Sequence, residues 1–170
     1  MSEDDVENAD PEVINFIFSQ SEKYLSAQLT ASIASDQRAI AISATFLGFC
    51  SAILAAALGY YAARTDTAIL VSGLVSGVGF FLAAALGFYA SRPVDFYFPG
   101  NQPENWYACL SDRLHDSIWG EVENYSEEIE YNQEIMDKNA KILIYSVVLA
   151  ASAPIIGIVC YLAISLFCRV

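Results

Sequence analysis

A long, nearly uncharged stretch constrains this chain more than any other feature of its sequence. From Ile40 to Ala90 the only charged residues are Arg64 and Asp66. A soluble domain of this size has too little interior to keep so long an apolar run away from water. Three apolar segments exceed the roughly 20 residues that a helix needs to cross a bilayer, namely 40–62, 68–90 and 142–167. The sequence therefore predicts an all-α membrane protein with three transmembrane helices.

The parts of the chain outside these three segments can be assigned from their composition. A loop rich in proline, with Pro93, Pro99 and Pro103, cannot form a regular helix. Its run Phe96–Phe98 is typical of the headgroup region, so we expect the loop to lie along the membrane surface. The predicted parts are an acidic N-terminal tail and cytoplasmic helix (1–38), a transmembrane hairpin (39–91), the surface loop (92–103), a cytoplasmic amphipathic helix (104–141), and the third transmembrane helix with the C-terminus (142–170).

The basic residues near the segment ends predict the orientation. Two of them, Arg64 and Arg169, fall on one side of the three segments. The others fall on the opposite side, and they are Lys23, Arg38, Arg92, Arg113, Lys138 and Lys141. Because cytoplasmic segments carry the excess of lysine and arginine, we expect a cytoplasmic N-terminus and an external or periplasmic C-terminus.

An apolar stripe runs along the segment that precedes the third spanning helix. Its members recur at helical spacing and are Leu110, Leu114, Ile118, Val122 and Ile129. Acidic residues occupy the other faces, so the pattern predicts a coiled-coil-like helix from residue 104 to 141. We expect its stripe to pack against the helix before residue 38 or to pair with a second copy of the chain. We expect this long helix to bend or break near Gly120.

Small residues dominate the spanning segments. The second segment carries Gly73, Gly77, Gly79, Ala83 and Gly87, and the first carries Gly48 and Gly59. Small residues at four-residue spacing let helix backbones approach closely in lipid. Packing within the chain and oligomerisation both remain open, and we expect one strip of the second helix to be left for a partner. In the third segment, Pro154 predicts a kink.

Aromatic and basic residues at the segment ends predict anchors at the membrane surface. These are Tyr60, Tyr61, Tyr89, Arg38, Arg64 and Arg92.

The sequence offers little enzyme chemistry. It contains one histidine, His115, with no nucleophile placed against it, and no phosphate-binding glycine loop or zinc-protease motif. We therefore expect no catalytic residues, no cofactor and no metal. The net charge of −12 disfavours nucleic acid as a partner.

The layout of the chain is familiar. A short cytoplasmic helix passes through Asp36-Gln37-Arg38-Ala39 into a spanning hairpin, and an amphipathic helix then passes through Lys138 and Lys141 into a last spanning helix. This arrangement resembles the small membrane effectors of bacterial Pycsar-type antiphage systems, whose first membrane helix often opens with Asp-x-Lys-Ala; Arg38 replaces the lysine here. The resemblance implies an oligomer that disturbs the inner membrane.

Two classes of function follow from these features. The first is a non-enzymatic bacterial inner-membrane protein that acts through assembly, as an effector or as an accessory subunit of a larger membrane complex. The alternative is a small oligomeric pore or transporter subunit.

The orientation can be tested with a reporter enzyme that is active only outside the cytoplasm. Fused after Val170, this reporter is expected to be active, because the basic residues put the C-terminus outside. The measurement is reporter activity in intact cells, and a cytoplasmic reporter that is active at the same position would reverse the assignment.

Overall fold

The computed structural model describes residues 10–109 and 113–167, and this part of the chain contains helices and no strand. Three of the helices are α-helices: α1 (Pro11–Arg64), α2 (Thr67–Ala90) and α3 (Leu114–Phe167). A 3₁₀ helix (Pro103–Cys109) lies between α2 and α3. Each α-helix contains a segment long and apolar enough to cross a membrane. The predicted fold class is confirmed.

Helix α1 joins two segments that the sequence analysis treated separately. It is one α-helix of 54 residues, because no glycine or proline interrupts the chain between Pro11 and Gly48. The Asp10 side chain accepts a hydrogen bond of 2.9 Å from the backbone N–H of Glu12, which caps the free donors of the first turn.

The connection between α1 and α2 is shorter than predicted. It consists of Thr65 and Asp66, since α1 continues to Arg64 and α2 begins at Thr67. Thr65 has a φ of +53°, an unfavourable conformation for a β-branched residue. The Asp66 carboxylate accepts hydrogen bonds from the N–H groups of Ala68 (2.9 Å) and Ile69 (3.3 Å) and so caps α2.

The long third helix begins later than predicted. The sequence analysis started it at residue 104, but residues Pro103–Cys109 form the 3₁₀ helix and α3 begins at Leu114. The predicted break at Gly120 is wrong, because α3 continues through that residue without interruption. A glycine weakens a helix by only about 1 kcal/mol relative to alanine, too little to end a helix whose next two residues, Glu121 and Val122, are buried.

The chain divides into two compact units. The acidic unit comprises the chain up to Ile33 and Val94–Asp137, and the membrane unit comprises Ala34–Pro93 and the chain from Lys138 onwards. Of the 20 acidic residues of the chain, only Asp36 and Asp66 belong to the membrane unit. The same unit holds six of the eight lysines and arginines. The membrane unit is thus nearly free of acids, and almost all of the negative charge lies in the acidic unit.

Small and aromatic side chains form the core of the membrane unit. Its buried residues are Cys50, Phe80, Ala83, Ala150 and Ala153, one cluster contributed by all three helices. The Phe80 ring lies 5.6 Å from the Phe49 ring and 6.3 Å from the Phe46 ring, between centroids. Most large apolar side chains of the three spans point outward, as lipid-facing residues do.

The acidic unit has its own core, which only part of the predicted stripe joins. Val122 is buried, and Ile118 and Ile129 are half-buried. Leu114, however, is 75% exposed. Its predicted packing is wrong because the helix starts at this residue and no helix among residues 10–109 and 113–167 covers it. Leu110 lies outside the described residues.

Two aspartate substitutions test the difference between the buried part of the stripe and its exposed end. Val122→Asp buries an unpaired charge and is expected to destabilise the acidic unit by about 3 kcal/mol or more. Leu114→Asp is expected to change stability by no more than about 0.5 kcal/mol. Thermal unfolding of both variants in mild detergent, followed by circular dichroism, provides the comparison; equal losses would show that the stripe packs along its whole length.

Candidate functional site

The glycines of α2 lie where neighbouring helices come closest. A Cβ atom on Gly77 would stand 2.7 Å from Cδ2 of Leu54 in α1, and one on Gly73 would collide with the Ala57 side chain. Gly73 therefore requires glycine for α1 to approach at its present distance, and a larger residue at Gly77 would require the Leu54 side chain to move. This strip of α2 is used inside the chain.

The second strip of α2 faces α3. A Cβ atom on Gly79 would lie 2.6 Å from the Cβ of Ala153, and Ala83 is fully buried. A Cβ on Gly87 would collide with the hydroxyl of Ser43 and lie 3.3 Å from that of Ser146. The strip that we expected to be left for a partner is therefore occupied by α3.

The glycines of α1 are placed differently. No atom lies within 4 Å of a Cβ built on Gly48 or Gly59. Both residues are exposed, and no described part of the chain packs on them. The predicted set of packing residues thus splits: the α2 members pack within the chain, and the α1 members remain open.

Pro154 contributes to helix packing less directly than expected. It is exposed, and α3 remains helical across it. Its neighbours make the contacts: Ala153 packs on Gly79, and a Cβ on Gly157 would collide with the Ser76 hydroxyl.

Two serines that the sequence analysis did not single out bind α2 to α3. Ser146 donates to the carbonyl of Ala83 at 2.6 Å, and Ser76 donates to the carbonyl of Ala153 at 3.3 Å. One bond runs from α3 to α2 and the other in the opposite direction. Hydrogen bonds of this kind between membrane helices contribute on the order of 0.6 kcal/mol each. In the sequence, the position of these serines among glycines and alanines is the feature that could have predicted such contacts.

The residues predicted as anchors are exposed or half-buried at the helix ends. Arg38, Arg64, Tyr60 and Tyr89 are exposed, and Tyr61 and Arg92 are half-buried. The Arg92 guanidinium lies 4.1 Å above the Tyr89 ring, a cation–π contact.

In the acidic unit, a buried asparagine holds the loop after α2 against α3. Asn132 of α3 is 0% exposed. Its amide donates to the carbonyl of Tyr97 at 3.0 Å, and its Oδ1 accepts from the N–H of Tyr97 at 3.0 Å. Gln28 of α1 adds a bond of 3.1 Å to the carbonyl of Ile129. These bonds satisfy polar groups whose burial would otherwise destabilise the fold. The position of the loop along the membrane surface stays a prediction.

A second contact holds the same loop further along. The Tyr125 side chain is 2% exposed, and its hydroxyl accepts a bond of 3.1 Å from the N–H of Gly100. Gly100 has a φ of +97°, which favours glycine at this turn. The Tyr125 ring stacks on Phe18 of α1 with 5.7 Å between centroids. Loop, α1 and α3 are thereby fixed together within the acidic unit.

A cleft of about 380 Å³ opens beside this loop. Its lining includes three carboxylates and two tyrosines, but no lysine or arginine, and consists of Tyr97, Gly100, Asn101, Glu121, Asn124, Glu127, Glu128 and Tyr131. The rings of Tyr97 and Tyr131 meet edge to face, 5.3 Å apart. The cleft is therefore acidic with an aromatic wall.

Burial raises the pKa of the Glu128 carboxyl above its ordinary value of 4.5, and the charge of Glu121 raises it further. The Oε2 atom of Glu128 is buried and has no hydrogen-bond partner among residues 10–109 and 113–167. Both observations have one cause, since a desolvated carboxylate close to another carboxylate favours its protonated form.

Nothing in the described ranges resembles a metal centre, since no three histidine, cysteine, aspartate or glutamate residues converge there to hold an ion. No protein-family model matches the chain, and no curated protein and no solved structure matches it either.

The raised pKa of Glu128 predicts a pH-dependent stability. The folded protein holds the proton more tightly than the unfolded chain, so this contribution is complete below the ordinary pKa and is lost as pH rises through the raised value. Glu128→Gln is expected to unfold at a higher temperature than the wild type at neutral pH, and the difference should shrink in mild acid. Glu130→Gln, at an exposed position of the same helix, is the control. A difference that does not vary with pH would contradict this cause.

Proposed function

We propose that this chain is a non-enzymatic protein of the bacterial inner membrane that acts by assembling with further copies of itself. It works as a membrane effector of the antiphage type or as an accessory subunit of a membrane complex. Its N-terminus and acidic unit lie in the cytoplasm, and its C-terminus is external. The observation that carries the proposal is the open face of α1.

This α1 face consists of small residues at three- and four-residue spacing that are all exposed, namely Thr45, Gly48, Ala52, Ala55 and Gly59. The opposite side of α1 is the packed side, where Cys50 and Ala57 are buried. Beside the two glycines there is open space. The α1 face therefore has the composition of a helix contact without a helix on it.

Physical chemistry favours a second helix on this face. Lipid gives no hydrophobic drive for helix association, so contact depends on dispersion and on close backbone approach. Gly48 and Gly59 each weaken α1 by about 1 kcal/mol relative to alanine, and no residue in the described part of the chain packs on them to offset this. Two copies of the same smooth face fit each other, as a two-fold interface requires.

The alternative of a pore has weaker support. A water-filled pore on this side would be lined by Thr45 and nearby Ser51. Their hydroxyls already donate within α1, to the carbonyls of Ala41 and Leu47, each at 2.9 Å. Such internally bonded hydroxyls suit a dry helix contact or a lipid surface.

The proposed location is supported by charge. Arg38, Arg92, Lys138 and Lys141 border the spans on one side, and Arg64 borders them on the other. This excess supports the proposal that the side with more basic residues is the cytoplasmic side.

Assembly is tested by enlarging the α1 face. Gly48→Leu puts a bulky side chain into the contact and is expected to convert the detergent-solubilised oligomer into a smaller species, measured by light scattering. Ala85→Leu makes the same kind of change at an exposed position of α2 and should leave the size unaltered. A wild type of monomer size would refute the proposal.

The effector role is tested in a bacterial host that overproduces the protein. A voltage-sensitive dye is expected to report loss of membrane potential with the wild type and with Ala85→Leu, but not with Gly48→Leu. If the potential is unaffected and other membrane proteins co-purify from mild detergent, the accessory role is correct and the effector role is wrong.

A further inference from the structure

The membrane unit contains a groove that the proposed α1 contact does not use. The groove has a volume of about 570 Å³ and lies between the three α-helices, wholly within this unit. Its buried lining residues are small, and they include Ala57, Ser76 and Gly157. Other lining residues, such as Tyr60 and Ile158, are exposed. The groove is therefore open to the surroundings of the helices.

The chemistry of the lining selects an apolar occupant. No charged residue in the described part of the chain lines the groove. Its two serines already donate inside the protein: Ser72 to the carbonyl of Ile69 at 3.0 Å, and Ser76 to the carbonyl of Ala153 at 3.3 Å. Water stays in a cavity only where it finds about two to four polar partners, and an unfilled apolar space forfeits dispersion contacts. The groove therefore favours hydrocarbon.

The depth of the groove distinguishes an acyl chain from a helix. The lining residue of α2 furthest from the start of that helix at Thr67 is Ser76, about 14 Å away at roughly 1.5 Å per residue. This distance is about half of the roughly 30 Å hydrocarbon thickness of a bilayer. Further along, α2 and α3 are in contact, since Ser146 donates to the carbonyl of Ala83. A transmembrane helix needs a surface across both leaflets, whereas an acyl chain needs the depth of one.

A cation lies at the end of the groove nearest the connection between α1 and α2. On α1, Arg64 follows the lining residues Ala57 and Tyr60 at helical spacing, on the same face. The Arg64 side chain is exposed, and its guanidinium has no hydrogen bond or ion pair with residues 10–109 and 113–167. Asp66, the nearest acid in the sequence, caps α2 instead. A positive charge beside an apolar groove is complementary to the phosphate and acyl chain of an anionic lipid.

We propose that this groove binds one acyl chain of an anionic phospholipid, in the leaflet on the side of the connection between α1 and α2. The lipid phosphate binds Arg64, and the chain extends between the helices towards Ser76. Tyr60 and Tyr161, the last lining residues of α1 and α3 in chain order, lie at the level where tyrosine favours the boundary between headgroup and hydrocarbon.

The proposal rests on the membrane location proposed above, but not on assembly through the α1 face. Gly48 does not line the groove, so Gly48→Leu should lose assembly and keep the lipid. A wild type of monomer size that still binds the anionic lipid would refute assembly alone. An oligomer without lipid binding would refute the lipid site alone.

The test is native mass spectrometry of the full chain in an uncharged detergent. The probes are dioleoyl phosphatidylglycerol and dioleoyl phosphatidylcholine, which have the same acyl chains and differ in headgroup charge. Saturable binding is expected, with an affinity for phosphatidylglycerol about threefold or more above that for phosphatidylcholine, as an exposed charge pair provides. Equal affinity for the two lipids would overturn the proposal.

Two alanine substitutions test the groove itself. Ala56→Phe puts a ring into the groove from an exposed lining position and should weaken both lipids about fivefold or more, through lost chain contacts. Ala85→Phe, at an exposed position of α2 outside the groove, should bind like the wild type. Unchanged affinity in Ala56→Phe would show that no chain lies there. A smaller assembly in Ala56→Phe with unaltered lipid binding would assign the groove to a helix of another copy and refute the proposal.

Two arginine substitutions test the charge. Arg64→Gln should lower the affinity for phosphatidylglycerol to that for phosphatidylcholine and leave the latter unchanged, because only the charge is removed. Arg38→Gln removes the same charge at the opposite end of the first span and should keep the preference. Equal loss of preference in both variants would reduce the effect to net charge and overturn the role of Arg64. Because Arg64 is exposed, this comparison does not depend on the folding of Ala56→Phe.

Discussion

The spanning helices of this protein are held together in a solvent that offers no hydrophobic drive. Every backbone polar group must be satisfied inside its own helix, and helices gain by contact only when they come very close. Gly73, Gly77 and Gly79 make that closeness possible. Everything else in the membrane unit follows from it: the Phe80 cluster, the paired serine bonds and the outward large side chains all require backbones at this distance.

The acidic unit is stabilised in a different way from the membrane unit. Water is available to it, so apolar burial drives its packing, yet its interior is partly polar. Asn132, Gln28 and Tyr125 bond backbone groups of the loop and of α3. A buried amide with every bond made fixes a single arrangement, since any shift of the loop by one residue would leave several polar groups unpaired. This explains how a loop with three prolines is held in place without regular structure.

Much of the fold could be predicted from the sequence, because the long apolar segments and helical periodicity are local signals. The α2 glycines were also identified, but the pattern alone could not decide between contact inside the chain and contact outside it. That choice depends on where α3 lies, which no local signal reports. The prediction that Leu114 is buried was wrong for a related reason. Its spacing fits the stripe, but its burial depends on how far the neighbouring helices extend. Glu121 and Asn132 were missed because a buried polar residue has the same local sequence as an exposed one.

The two-residue connection between α1 and α2 also affects how the protein enters the membrane. With only Thr65 and Asp66 between them, the helices cannot insert far apart in time or space, so the hairpin must enter as a unit. If the N-terminus stays on the side of synthesis, this tip must pass through the hydrocarbon. Arg64 and Asp66 flank the tip and carry opposite charges, so the net charge moved across the barrier is zero. The membrane potential therefore neither drives nor opposes this step, and insertion should be set by the apolar segments alone.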